Sequence, residues 1–411
     1  MLYGCLILYL ALIYIRPAEI VASWETIPFL EIFTIVSGVV AAFSLAAKPR
    51  RLRLPHDKLL LAFWVVISIS NLLYWVWAAY DSWMSFMPVV FCYCLIRFAV
   101  QRETQLRGLI YVLVILTMVL AINGIVQYQT GFGLGDVTMQ LGRIRGTGIF
   151  NDPNDLGLSF VMAVPFLLVF ITGPSVNLLS RLWWLIQLAL VLLAMFYTNS
   201  RGAIVGLGAA LICFTFLKFR RLPASLVGIA LVAIIIAGSP SRASQMSYDE
   251  ESAQSRIQSW AEGWIMLKSN PVLGVGHNRF TDYNYLVAHN SFVQTFAELG
   301  LVGAFCFVGM FYWYFKGLVV TKNGATERWR VPLLSSGVGV LTCSWFLSRQ
   351  YVVVLYILLA IGASAAALGS PDKEDGLTMT WRDGLNIALL TVVGLVAVNI
   401  SIRTMAVWTG G

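Results

Sequence analysis

Charge is what this chain has least of. Only 12% of its 411 residues are Asp, Glu, Lys or Arg, against roughly a quarter in a soluble globular chain, so a separate water-exposed domain does not fit. Histidine is scarcer still, with three in all: His56, His277 and His289. The six cysteines (Cys5, Cys92, Cys94, Cys213, Cys306 and Cys343) lie inside apolar segments and never in a polar loop. That placement argues against a disulfide framework and against a CxxC-type metal site. No GK[ST] is present and no dinucleotide-type helix start follows Gly276, so the glycines do not read as a nucleotide cradle. The alternating polarity of a β-barrel is missing too, because apolar runs this long do not occur in one.

Hydrophobic residues fill the space, at 59% of the chain, with aromatics at 13% and a mean hydropathy of +0.78. Apolar runs at 2–16, 29–47, 59–79, 84–100, 108–128, 156–173, 183–198, 202–217, 223–238, 291–315, 332–347, 351–369 and 385–403 predict an all-α fold. The expectation is a polytopic transmembrane helical bundle of about 12–13 spans, forming a single integral membrane domain over residues 1–411. Runs 202–217 and 332–347 are short, so one is re-entrant or extends past its apolar limits. The first run lacks a basic n-region and a small-x-small site before Arg16-Pro17, and reads as a retained span.

The formal charge of +8 is a matter of topology, and nucleic acid is not an expected partner. Lys48, Arg50, Arg51, Arg53 and Lys58 fall in one set of loops. Arg97, Arg102 and Arg107, then Lys218, Arg220 and Arg221, then Lys316, Lys322, Arg328 and Arg330 recur in the same set. The positive-inside rule makes these loops and the N-terminus cytoplasmic. Residues 129–155, the junction Asn199-Ser-Arg201 and the long polar interval 239–290, between the ninth and tenth spans, are then outside. Thirteen spans place the C-terminus outside as well.

The outer segments carry the chemistry. Residues 131–148 hold six glycines with Arg143 and Arg145, followed by Asn151-Asp-Pro-Asn-Asp155, where Asn and Asp before proline make turns and helix caps. The glycines suit either a close approach to a ligand or a plain linker. Arg201, between two runs joined by almost no loop, suits either a snorkelling anchor or a two-pronged grip on a phosphate. Residues 250–270 predict an amphipathic helix lying on the outer surface or over the bundle, with Arg256 and Trp260 on one face, ended by Asn270-Pro271. Gly274 and Gly276 permit a tight approach to the next element.

His289 precedes an apolar helix that Asn290 and Ser291 can cap. A helix N-terminus favours the neutral imidazole, which suits either a general base or a mere cap. Glu298 is an intramembrane carboxylate and needs a partner, such as Arg349 or Arg201. His277, Asp282 and His289 match no strong metal signature, and no metal ligand is expected.

The order of these features resembles the O-antigen ligase and polymerase superfamily, the Wzy/WaaL-type integral-membrane glycosyltransferases. The resemblance rests on Arg145 to Asn154 with its Asn-Asp-Pro-Asn, on Thr198-Asn-Ser-Arg-Gly202, on Arg256 to Trp260, on Pro271-Val-Leu-Gly-Val-Gly276, and on His289-Asn290-Ser291 with Glu298-Leu-Gly300. The ten residues between His289 and Gly300 are similar to the ligase spacing. The resemblance implies a metal-independent, inverting transfer at the periplasmic face of a bacterial inner membrane, without a cofactor. The implied donor is an undecaprenyl-pyrophosphate-linked glycan, and the acceptor is lipid A–core or another glycan, all met among membrane lipids. It implies His289 and Arg201 as catalytic residues, Arg201, Arg256 and Arg145 as pyrophosphate-binding residues, and Asn154, Trp260, Asn290 and Glu298 as support. A polymerase joining lipid-linked repeats is the alternative within this chemistry. A transporter would show inverted repeats and a polar path across the membrane, and neither is seen.

Overall fold

A computed structural model describes residues 1–48, 52–72, 74–174, 176–219, 246–321, 326–369 and 377–408. Among these the secondary structure is helical, with no strand beyond two isolated bridges. We number the helices α1 (Leu2–Ile15), α2 (Phe29–Ala47), α3 (Pro55–Leu72), α4 (Val76–Ala99), α5 (Glu103–Thr130), α6 (Pro153–Thr172) and α7 (Leu178–Thr198). They continue with α8 (Arg201–Phe219), α9 (Met246–Ser269), α10 (Ser291–Val320), α11 (Glu327–Phe346), α12 (Val353–Leu368) and α13 (Trp381–Trp408). Nine helices of the described residues are long and apolar enough to cross a membrane, so the chain is a polytopic helical membrane protein. Three more, α3, α11 and α12, pack into the same bundle. The span expected at 223–238 lies outside the described residues, as do Arg50, Arg51, Arg220, Arg221 and Lys322.

Burial sorts the helices. The α6 span is 89% buried and α10 78%, whereas α2 is 6% and α13 17%, so the first pair forms the axis and the second pair faces lipid. Backbones approach closely where α8 crosses α11. A Cβ on Gly206 would lie 2.3 Å from Cys343 Sγ and 2.8 Å from the Gly339 carbonyl, and one on Gly202 would lie 3.1 Å from Phe346 Cβ. Small residues allow this approach where apolar burial alone gives little drive for association. It sets Arg201, the first residue of α8, beside the end of α11.

Two boundaries differ from the sequence expectation. The run 59–79 divides between α3, which ends at Leu72, and α4, which starts at Val76; beside this junction Asn71 Nδ2 donates to Ser82 Oγ (2.7 Å) and the His277 carbonyl (3.1 Å). Arg97, counted above with the loop cations, is buried within α4. Its guanidinium grips Asp57 at 2.9 and 3.2 Å while Tyr93 donates to the same carboxylate at 2.8 Å, which satisfies a charge pair that would otherwise be costly to bury.

The main irregularity is inside α10. At Gly300 the backbone swings to φ 61°, ψ −160°, breaking the helical ladder within a buried span. The freed groups are taken up by residues 271–276. Val275 N donates to the Ala297 carbonyl and Gly276 N to the Glu298 carbonyl, both at 2.9 Å. In return Leu301 N donates to the Pro271 carbonyl at 2.8 Å and Val302 N to that of Val272 at 3.3 Å. Irregular backbone at membrane depth is tolerated only when its polar groups are satisfied in this way. Gly274 (φ 68°) makes it possible, since a Cβ there would sit 2.3 Å from the Glu298 carbonyl carbon.

Gly300→Ala is therefore expected to fail on two counts: a left-handed backbone and a Cβ 2.4 Å from the Val272 carbonyl. A loss of about 1–3 kcal/mol or more should appear as a clearly lower apparent Tm in detergent. Gly384→Ala, which meets nothing within 4 Å, should leave it unchanged. Equal Tm values for the two variants would show that the break is not structurally required.

Candidate active site

Five segments meet at the end of the bundle where α6, α8 and α10 begin. Asp152 caps α6 by accepting from Asn154 N at 2.7 Å, with Pro153 following as the first helical residue. Its other oxygen accepts from Arg349 Nη2 at 2.7 Å, and Arg349 Nε lies 2.5 Å from Asp155 Oδ1. The Arg349 segment is held in turn by α10. Ser291 Oγ donates to the Leu347 carbonyl (2.6 Å) and accepts from Arg349 N (2.9 Å). Burial raises the Asp152 pKa, but Arg349, the Asn154 N–H and Arg143 outweigh it and hold the carboxyl below its ordinary value.

Arg143 stitches α6 to the turn between α7 and α8. Its Nε donates to the Thr198 carbonyl at 2.8 Å and its Nη2 to Asn154 Oδ1 at 3.0 Å, an oxygen that also accepts from Ser200 Oγ at 2.8 Å. Asn199 supplies the left-handed residue (φ 46°) that Asn tolerates better than most, and the exposed Arg201 then opens α8 at the rim. Arg256 reaches the same place from α9. Burial lowers the pKa of Arg143, opposed by Asp152, and Arg201 and Arg256 lower it further. Burial and then Arg201 do the same to Arg256. Arg143 and Arg256 thus each feel the positive charge of Arg201.

His289 completes the group. Trp260 Nε1 donates to the Ala288 carbonyl at 2.8 Å, and Asn290 caps α10 by accepting from Phe292 N (2.9 Å) and Val293 N (3.1 Å). Held from both sides, His289 takes a left-handed backbone at φ 49°. Burial first, then Arg256 and Arg349, push its imidazole pKa down to about 4, against the opposing pull of Asp152. The ring is neutral at ordinary pH.

Of the residues singled out in the sequence, Arg201, Arg256, Asn154, Trp260, Asn290 and His289 share this end. Arg145 points elsewhere, donating from Nε to the Thr138 carbonyl at 2.8 Å. It is not among the groups that shift Arg143, Arg256 or His289. Glu298, fully buried, accepts from Tyr351 OH (2.8 Å), Gln294 Nε2 (3.0 Å) and Phe280 N (3.3 Å). Arg349 goes to the Asp152–Asp155 pair instead. His277 packs edge-on against Tyr351, 4.5 Å between ring centroids. Asp282 pairs with Arg279 at 2.9 Å, and no metal-binding cluster of His, Cys, Asp or Glu occurs among the described residues. Asp152 and Arg349 escaped the sequence reading as site residues. Their signals were an Asp before Pro and a lone Arg in the short break between two apolar runs.

Fold and site together define a polytopic membrane protein with an arginine-rich, histidine-bearing surface at one end. Residues 186–308 match the O-Antigen ligase family model, a segment that includes Arg201, Arg256, His289 and the break at Gly300. The match supports membership of the O-antigen ligase superfamily and a membrane-associated role in glycan transfer. No curated protein matches the chain.

The histidines make acid stability a measurable consequence. Burial lowers His277 and His289 from 6.5 to about 4. Between those values the unfolded chain binds protons that the folded chain does not, so their contribution is complete above pH 6.5 and lost as pH falls towards 4. The apparent Tm should drop between pH 7 and pH 4.5, and drop less in His277→Gln/His289→Gln. An identical pH slope in that variant would show that neither ring is held neutral.

Proposed function

We propose that the chain is a glycosyltransferase of the O-antigen ligase type, acting at the periplasmic face of a bacterial inner membrane. Its donor is a glycan linked through pyrophosphate to undecaprenol, and its acceptor is a hydroxyl of lipid A–core. The observation that carries this reading is the juxtaposition of Arg143, Arg201 and Arg256, each within reach of another's charge, with the neutral imidazole of His289. A multiply charged anion favours the charged form of cations clustered around it. Arginine forks suit phosphate oxygens, and the start of α8 adds the positive end of a helix.

In the reaction, the acceptor oxygen attacks the anomeric carbon from the face opposite the leaving group, and the bond from that carbon to the pyrophosphate oxygen breaks. His289 takes the hydroxyl proton. The lipid pyrophosphate departs with the bonding electrons, and the arginines stabilise its charge. One displacement of this kind inverts the anomeric centre. Asp152 and Asp155 do not touch the substrate in this scheme; they hold Arg349, whose charge helps keep His289 unprotonated.

The roles separate on purified variants assayed for donor binding and single-turnover transfer. His289→Ala should bind donor nearly as well as the wild type and transfer roughly 10²–10⁴ times more slowly. Arg201→Ala should weaken binding and transfer alike, and Arg201→Lys should recover little, since it keeps the charge but not the fork. Loss of donor binding in His289→Ala would sink the general-base role. Transfer to a lipid-linked repeat in preference to lipid A–core would make the enzyme a polymerase.

A pH profile tests the electrostatics. In the free enzyme the acid limb should follow the depressed His289, near pH 4. Bound pyrophosphate offsets Arg256, so the limb of kcat should lie at higher pH than the limb of kcat/KM. Coincident limbs would place donor and histidine out of electrostatic contact.

A further inference from the structure

At the end of the bundle opposite this site, a cavity of about 750 Å³ opens between α5, α6, α7, α8 and α11. Three basic residues line it: Lys218 at the end of α8, and Arg328 and Arg330 at the start of α11. Glu327 is the acidic residue in the lining, and it is paired with Arg330 at 2.7 Å. Arg328 is set over the C-terminal end of α6, since a Cβ on Gly173 would lie 3.8 Å from its Nη2. The carbonyls there favour a cation. Asn177 and Ser180 bring the first turn of α7 to the same cavity, with Asn177 Oδ1 capping Ser180 N at 2.8 Å.

The rest of the wall is aromatic. Tyr111 and Phe170 stack at 4.5 Å with rings 2° from parallel, and Trp184 lies 4.7 Å from Phe170. Exposed Leu178, Leu179, Leu182 and Trp183 continue the apolar surface along α7 towards the lipid. A soluble anion needs only the basic half of such a cavity. An amphiphile uses both, with its phosphate on Lys218 and Arg328 and its glycerol and acyl chains along the aromatic wall.

We propose that this cavity holds the headgroup of an anionic glycerophospholipid in the leaflet opposite the transfer site. Such a lipid would be wedged between α6, α7, α8 and α11, whose other ends carry Asn154, Thr198, Arg201 and the Arg349 segment. Occupancy would therefore brace the helices that position the candidate active site.

The test uses the full-length protein in nanodiscs of mixed phosphatidylglycerol and phosphatidylcholine, with retained lipid counted by native mass spectrometry. The wild type should retain phosphatidylglycerol selectively, and Lys218→Ala/Arg328→Ala should retain it roughly thirtyfold less strongly, from about 1 kcal/mol for each of the two basic side chains. A photoactivatable phosphatidylglycerol should label peptides spanning 169–184 and 327–331 in the unaltered protein, a readout that needs no variant. Equal retention by the double variant, equal retention of phosphatidylcholine, or labelling confined to other peptides would each overturn the proposal. Displacement of the lipid by inorganic phosphate would also overturn it, as it would show a site for phosphate alone. None of these readouts depends on glycan transfer, so the lipid site and the catalytic reading stand or fall separately.

Discussion

A membrane span that breaks its own helix must find partners for the groups it releases, and α10 breaks at Gly300. In water the freed carbonyls and N–H groups would be solvated. Inside the bundle each unsatisfied group costs several kcal/mol. The Pro271–Gly276 segment answers that need with four backbone hydrogen bonds, and so cannot lie elsewhere. Once it is pinned, the chain to His289 has fixed ends: His277 is seated on α3 through Ser70 and Asn71, and Trp260 of α9 closes on Ala288. The position of the candidate base follows from the repair of a helix break eleven residues further along α10.

Electrostatic conflict is the second organising feature. Arginines from the 143–155 loop, from the start of α8 and from α9 converge where helix N-termini already supply positive potential. Asp152 and Asp155 pair with a further arginine, Arg349, and Asp152 also offsets part of the charge around Arg143. Groups whose charge is perturbed in this way are enriched at functional sites, and structural ion networks produce them as well. Keeping His289 neutral is a by-product of the same field together with burial.

The opposite end of the bundle is built differently. Among the described residues, ion pairs there join Asp57 with Arg97, Lys316 with Asp383 and Arg330 with Glu327. Lys218 and Arg328 stand beside an aromatic cavity, and the same helices run from that cavity to the arginine-rich rim. Close backbone contact at Gly206 and Gly339 fixes how α8 and α11 cross between the two ends.

Much of this was written in one dimension. Low charge and long apolar runs determined a helical membrane protein, because a bilayer permits few other answers. Local rules placed the Asn290 cap, the end of α9 at Asn270-Pro271 and the tight turn before Arg201, since each depends on neighbours only a few residues away. The close approach expected at Gly274 and Gly276 was legible as well, though not what they approach. Partnerships across the chain were not. Glu298 was expected to seek an arginine and took Tyr351 and Gln294. Arg145 and Arg143 are near-equivalent on paper, but a two-residue difference turns one towards Thr138 and the other towards Asn154. Arg97 looked like a loop cation and proved to be a buried partner of Asp57. Composition and capping are properties of a segment, whereas the partner of a buried charge is set by which helices pack together, and that was decided only in three dimensions.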